Sequence, residues 1–216
     1  MTTSPARRPP APRPPTRTRK PRGQGHERVE EILDAAKALY GEGGHAAATT
    51  RRIAARVGVS QTALYTHFPD RDSILEAVCE RAFRDLDDRL LAAESAAPSR
   101  AGVFRAVLRA YLDFALSVPV EYDLMFMSHR QAPVRLPAVG LHAFERFRGQ
   151  VAALIAEGHL RPGDPGTVAQ AIWAALHGLA ALQIARPGFP WADRGVLVDT
   201  LVDGLARGFA ADPGDP

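Results

Sequence analysis

The chain of 216 residues contains no asparagine, two lysines (Lys20 and Lys37) and one cysteine, Cys79. A single cysteine excludes an intramolecular disulfide and a cysteine-built zinc site, and it fits a reducing, cytoplasmic compartment. No apolar run of about 18 residues stands out, which predicts no membrane span. The basic N-terminus has no apolar stretch behind its charges, so it does not read as a secretory signal. There is no P-loop, GxSxG elbow, dinucleotide fingerprint or HExxH motif, and the seven histidines include no pair four residues apart. These absences argue against an enzyme, a metal site and a cofactor. The dearth of lysine beside abundant Arg, Ala, Gly and Pro reads as a GC-rich coding bias and carries no functional meaning by itself.

What is present is globular. Hydrophobic residues make up 46% and charged residues 24% of the chain, enough to bury a core in one or two domains. The charge is distributed unevenly. Residues 1–26 hold seven of the 27 basic residues and no acid, which leaves 20 basic against 24 acidic residues in the remainder. A basic tail thus precedes a mildly acidic body. This asymmetry points to nucleic acid, with a membrane surface as the other candidate. The tail also carries seven prolines (Pro5, Pro9, Pro10, Pro12, Pro14, Pro15 and Pro21). With nothing apolar to bury, residues 1–24 are predicted to be disordered.

Beyond the tail every periodic segment is helical. Val29, Ile32, Leu33, Ala36, Leu39 and Tyr40 recur at three- and four-residue spacing, and Gly41, Gly43 and Gly44 should end that helix. Thr49 and Thr50 offer caps for a short helix over residues 51–57, broken by Gly58. Ser60 caps a third helix running to about Phe68. Asp70 or Asp72 can cap a long fourth helix with its apolar face at Ile74, Val78, Ala82, Leu86 and Leu90. Residues 92–102 read as a connector. Further helical stripes follow, including residues 166–185 and 193–210, separated by proline-rich breaks. No stretch alternates with period two for long enough to argue for a sheet.

The informative stretch is 49–71, TTRRIAARVGVSQTALYTHFPDR. It reads as a short helix, a tight turn at Gly58 and a second short helix. Ile53, Ala54, Val57, Val59, Leu64 and Phe68 would hold the pair together. That is a helix-turn-helix, whose second helix enters the major groove while the first lies against the DNA backbone. Residues 49–68 contain Arg51, Arg52 and Arg56 and no acid, so this face is predicted to be locally basic.

The segment resembles the DNA-binding region of the TetR family of transcriptional repressors. The matching residues are TTRRIA (49–54), VGVS (57–60), Leu64, Tyr65, His67 and Phe68, and the basic Arg71. Val57 stands where the family commonly has alanine and Arg71 where it has lysine. The resemblance covers about residues 27–78. It implies that Thr49, Thr50, Ser60, Tyr65, His67 and Arg71 contact phosphates, and that Arg51, Gln61, Thr62 and Thr66 read base edges. Arginine pairs best with guanine and glutamine with adenine. The plainer reading of each residue is a solvated helix surface. The arginine-rich tail fits either an arm that contacts DNA or a solubility segment.

In the second half, IWAALHGLAAL (172–182) resembles a C-terminal domain type of the same family named for its Trp–His–Gly pattern, here Trp173, His177 and Gly178. Ala171, Ala174, Gly178, Ala181 and Ala185 form a stripe of small residues, and Gly204 and Gly208 place a similar one on the last helix. The resemblance implies that these helices form a four-helix bundle in a homodimer; packing within one subunit is the alternative. Phe104, Tyr111, Phe114, Met125, Phe126, Phe144, Trp173 and His177 are candidates to line an apolar ligand cavity. Such residues at helical spacing also occur as plain core, and His177 also reads as a satisfied buried histidine.

The expectation is an all-α chain: a tail over residues 1–24, a three-helix helix-turn-helix domain over 25–72, and a helical-bundle dimerisation and ligand-binding domain over 73–216, with a linking helix at 73–92. The expected function is a cytoplasmic, homodimeric, DNA-binding regulator without cofactor or metal. In that reading it is a repressor released from a near-palindromic operator by a small hydrophobic effector, with no membrane partner. A sequence-independent DNA-packaging protein and an enzyme are the rival classes.

Overall fold

The computed structural model describes residues 25–128 and 138–211. The predicted tail over 1–24 lies outside the described residues. Within them the chain is helical, without a strand; one isolated antiparallel bridge pairs Leu160 with Ala210.

Helix α1 spans Gly25–Ala47, but its regular path breaks at Gly43 and at Gly44, whose φ of 62° favours glycine, before a last turn to Ala47. Helix α2 spans Thr50–Val57. The Thr49 side chain accepts the Arg52 N–H, and Gly58 closes the helix in the left-handed region at φ 75°. Helix α3, Gln61–Tyr65, is capped by Ser60, which accepts the Ala63 N–H. It is shorter than expected. Thr66 turns its hydroxyl back to the Ala63 carbonyl, and the chain passes through a turn towards Phe68. Helix α4 spans Arg71–Ala96 and starts with a reciprocal cap between Asp70 and Ser73. It runs four residues past the expected end, because Ala93–Ala96 carries no breaker and Pro98 is the first residue that forbids continuation.

These four helices share a core of fully buried Ile32, Leu39, Ile53, Leu64, Ile74 and Leu75. Burying each such side chain contributes roughly 1.5–3 kcal/mol. Val57, Val59 and Phe68 pack partly buried against it. Arg81 of α4 reaches Glu30 at 2.6 Å and Asp34 at 2.8 Å on α1.

The second half consists of α5 (Arg100–Ser117), α6 (Pro119–Tyr122) continuing into a π-helical turn (Asp123–Met127), α7 (Ala138–Ala156), α8 (Pro165–Ala185) and α9 (Arg194–Phe209). Helix α5 is central and packs against α4, α8 and α9, while α7 lies against α4 and α8. Arg105 and Arg109 of α5 pair with Asp203 and Asp199 of α9. The second core gathers Leu108, Leu112, Phe114, Tyr122, Ile172 and Val198, among others.

One sequence expectation needs correction. Helix α8 is, by length and composition, apolar enough to cross a membrane, with a mean hydropathy of 1.4 over 18 residues, of which 22% are buried. The reason is that it is apolar on two faces. Ala169, Ile172, Leu176 and Ala180 are buried, whereas Ala171, Ala174 and Leu182 remain exposed.

Candidate DNA-binding face and effector cavity

Local chemistry builds the first site. The caps at Thr49 and Ser60 and the left-handed Gly58 set α2 and α3 against each other, and Leu64, fully buried, anchors α3 from beneath. On the outer side Arg51, Ser60, Gln61, Thr62, Thr66 and His67 are exposed, and Tyr65 is 50% exposed despite its aromatic ring. Thr49, Thr50 and Arg71 are half-buried at the edges of this surface. Two of them are already engaged: the Thr49 hydroxyl caps α2, and Arg71 pairs with Asp72 at 2.8 Å.

The predicted basic face is less basic than its own segment implies. Glu42 of α1 binds Arg52 at 2.9 Å and Arg56 at 2.7 Å. The hydrogen bond from Arg56, with Arg52 nearby, holds the Glu42 carboxyl below the usual carboxylate range. Arg51 has no ion pair among the described residues. The sequence reading missed this neutralisation because the acid lies outside the motif, beyond the Gly43–Gly44 break.

The second site is a cavity of about 260 Å³ in the C-terminal half. Its walls come from α4 (Phe83, Leu86, Leu90), α5 (Val107, Leu108, Tyr111), the π-turn (Phe126), α7 (Gly140, Leu141, Ala143, Phe144, Phe147) and α8 (Gln170, Trp173, Leu176). Helix α7 approaches α4 closely at Gly140: a Cβ there would lie 2.7 Å from the Phe83 ring. Of the eight residues predicted to face a ligand, Tyr111, Phe126, Phe144 and Trp173 line this cavity. Phe104, Phe114 and Met125 are buried in the surrounding core, and His177 lies behind the wall. Phe83, Leu86, Phe147 and Gln170 were missed. They sit on helices whose periodicity announces a buried face without saying whether that face meets another side chain or a void.

Behind the cavity runs a chain of hydrogen bonds. The Trp173 Nε1–H donates to the Tyr111 hydroxyl at 3.0 Å, Tyr111 meets the Tyr122 hydroxyl at 2.8 Å, and Tyr122 meets His177 Nδ1 at 2.7 Å. An indole can only donate. The run can pass from Trp173 through Tyr111 and Tyr122 to a His177 protonated on Nε2, or in the opposite sense from a His177 Nδ1–H through Tyr122 to Tyr111; a neutral imidazole meets both. Burial lowers the His177 pKa, in keeping with that form. Burial also pushes Tyr111 up to about 12, and it raises Tyr122 further still.

The segment carrying Tyr122 has a second side. Asp123 accepts the Tyr40 hydroxyl at 2.6 Å, Glu121 pairs with Lys37 at 2.9 Å, and Leu124 is buried in the core of the first four helices. Val120 packs against the same core, directly over Gly41. Residues 119–127 thus touch α1 of the first four helices and the wall of the cavity at once.

Among the described residues, the small-residue stripes are not consumed by packing within the chain. A Cβ added at Gly178, Gly204 or Gly208 would meet nothing within 4 Å. Ala171, Ala174 and Ala185 are exposed and Ala181 is half-buried. Among the described residues no group of three or more His, Cys, Asp or Glu side chains is placed to hold a metal ion.

Comparison with known proteins agrees with this anatomy. Residues 32–78 match the model of bacterial regulatory proteins of the tetR family, and residues 104–205 match a tetracyclin repressor-like C-terminal domain. The nucleoid occlusion factor SlmA of Photobacterium profundum is 31% identical over 156 residues, covering 68% of this chain and 76% of the relative. The SlmA of Actinobacillus pleuropneumoniae strain L20 is 32% identical over 100 residues, 46% of this chain; there the chain spans about half (50%) of the relative's length. A protein of unknown function from Rhodococcus sp. RHA1 superposes with a TM-score of 0.77 at 28% identity, covering 89% of this chain and all (100%) of that one. A TetR-family transcriptional regulator from Pectobacterium atrosepticum superposes with a TM-score of 0.65 at 24% identity, over 90% and 100% of the two chains. With both halves of the molecule matched in order, the chain belongs to the TetR family of bacterial regulatory proteins.

Proposed function

We propose that this protein is a sequence-specific DNA-binding transcriptional regulator, a repressor that works as a homodimer in the cytoplasm and leaves its operator when a small hydrophobic molecule fills the cavity. It carries out no catalysis in this reading. Bases are read by Arg51 at the start of α2 and by Gln61, Thr62 and Thr66 in and just after α3, while Thr49, Thr50, Ser60, Tyr65, His67 and Arg71 hold phosphates. Two copies, joined through the small-residue faces of α8 and α9, present two such helices to successive major grooves about 34 Å apart on a near-palindromic site.

The observation that carries the reading is the double contact of residues 119–127. Phe126 lines the cavity, and Tyr122 stands within the hydrogen-bond chain between Trp173 and His177. Their neighbours Glu121, Asp123 and Leu124 hold α1. A ligand that displaces Phe126 or Trp173 shifts the segment on which the head rests. Because both heads must fit one spacing, a small rotation of each is enough to lower affinity for DNA.

The test is selection of bound sequences from random duplex DNA by the full chain. A bounded palindrome that resists moderate salt is the expected result; evenly spread, strongly salt-sensitive binding would instead indicate a DNA-packaging role. The name of the SlmA relatives motivates a second reading, a DNA-bound factor acting on the nucleoid and not on a promoter. Transcripts next to the selected sites should change on deletion of the gene; unchanged transcripts at those sites would favour the second reading.

A further inference from the structure

The chemistry of the cavity wall restricts its occupant beyond being apolar. Among the described residues none of the 15 that line the cavity is charged, and six present aromatic rings: Phe83, Tyr111, Phe126, Phe144, Phe147 and Trp173. Only three lining side chains carry a polar atom. Two of these, the Tyr111 hydroxyl and the Trp173 indole N–H, are bonded to each other, and Tyr111 is further bonded to Tyr122. The third, Gln170, is exposed, as is Leu141, so these two mark the edge open to solvent. Arg146 is close in sequence to lining residues Phe144 and Phe147, but it pairs with Asp87 at 2.9 Å. An anionic group inside this cavity would exchange water for hydrocarbon and meet no unpaired cation among the described residues. Aromatic walls, by contrast, offer edge and face contacts to a flat ring.

We infer that the effector is an uncharged molecule built on an aromatic ring system, with its polar substituent directed at Gln170 on the open edge, and that carboxylated molecules of the same shape are rejected. This rests on the reading of the cavity as the effector site. It adds the ligand's charge state and ring character, which that reading leaves open.

The test compares 1-naphthol with 1-naphthoate, two probes of similar shape that differ in charge. The full chain carries Trp191→Phe, so that Trp173, in the cavity wall, is the only indole reporter. Quenching of its emission, checked by calorimetry, should give binding of 1-naphthol at least about tenfold tighter than binding of 1-naphthoate, a gap of about 1.4 kcal/mol. Gln170→Arg, on an exposed helix position, should raise naphthoate affinity about tenfold and so close the gap between the two probes; a naphthoate affinity that this substitution leaves unchanged contradicts the placement of the polar substituent at that edge. Naphthoate binding as tightly as naphthol to the parent chain overturns the inference. So does an absence of naphthol binding by a chain with an unaltered melting curve. A DNA-binding arm separates this inference from the function it rests on. Naphthol that binds without weakening the DNA complex contradicts the release mechanism and leaves the ligand class standing. Naphthoate that binds better and releases DNA does the reverse.

Discussion

The two halves of the molecule are built by different kinds of information. The DNA-binding head is specified by short-range rules. Thr49, Gly58, Ser60 and Asp70 stand at the ends of α2, α3 and α4, and each satisfies or terminates a helix within about three residues of itself. Its functional face is what remains outside once Ile53 and Leu64 turn inward. The C-terminal half follows a different logic. Its cavity draws on α4, α5, the π-turn, α7 and α8, so that Phe83 and Trp173, 90 positions apart in the sequence, face one void. A binding face can thus be written locally, whereas a binding cavity is a property of how five elements fail to fill the space between them.

The largest expected effect tests whether the head is an independent unit. Leu64→Ala removes the buried anchor of α3 and should cost about 2–5 kcal/mol. In urea denaturation the head should unfold at lower denaturant, and DNA binding should be lost with it, while 1-naphthol still quenches Trp173. Loss of both activities together would show that the two cores unfold as one, through Leu124 and the rest of residues 119–127.

Tyr122→Phe addresses the link between the halves. The variant keeps the ring, which is fully buried, and removes the hydroxyl between Tyr111 and His177. Leaving buried partners unsatisfied should cost about 1–3 kcal/mol in thermal melts. Its sharper signature is functional: DNA affinity with and without effector should converge. An unchanged ratio would place the coupling elsewhere, with the direct Phe83–Phe126 contact on α4 as the next route.

The smallest effect concerns pH. Burial holds the His177 pKa below the ordinary value of 6.5. As pH falls below 6.5, the unfolded chain takes up a proton that the folded chain resists. The stability that neutral His177 confers is therefore present above about pH 6.5 and is lost as pH falls towards the lowered folded value. His177→Asn, which retains an acceptor for Tyr122, should flatten the dependence of melting temperature on pH between 7.5 and 5.5. Parallel profiles for the parent and this variant would assign that slope to other groups.

Sequence alone determined the helical class, the break at Gly58 and the outward set from Arg51 to His67, because caps, turns and amphipathic spacing act over three or four residues. It also found four of the aromatic cavity residues, since Tyr111, Phe126, Phe144 and Trp173 lie on recognisable apolar stripes. Tertiary structure decided the rest. It brought Glu42 across to Arg52 and Arg56 and reduced the charge of the outer surface of α2 and α3. It left Phe104, Phe114 and Met125 in solid packing while opening a void beside Phe83 and Phe147. It also placed Tyr122 between Tyr111 and His177, with Leu124 in the other core. Each of these depends on the distance between elements remote in sequence, and hydrophobic periodicity fixes which face of a helix is buried but not what meets it there.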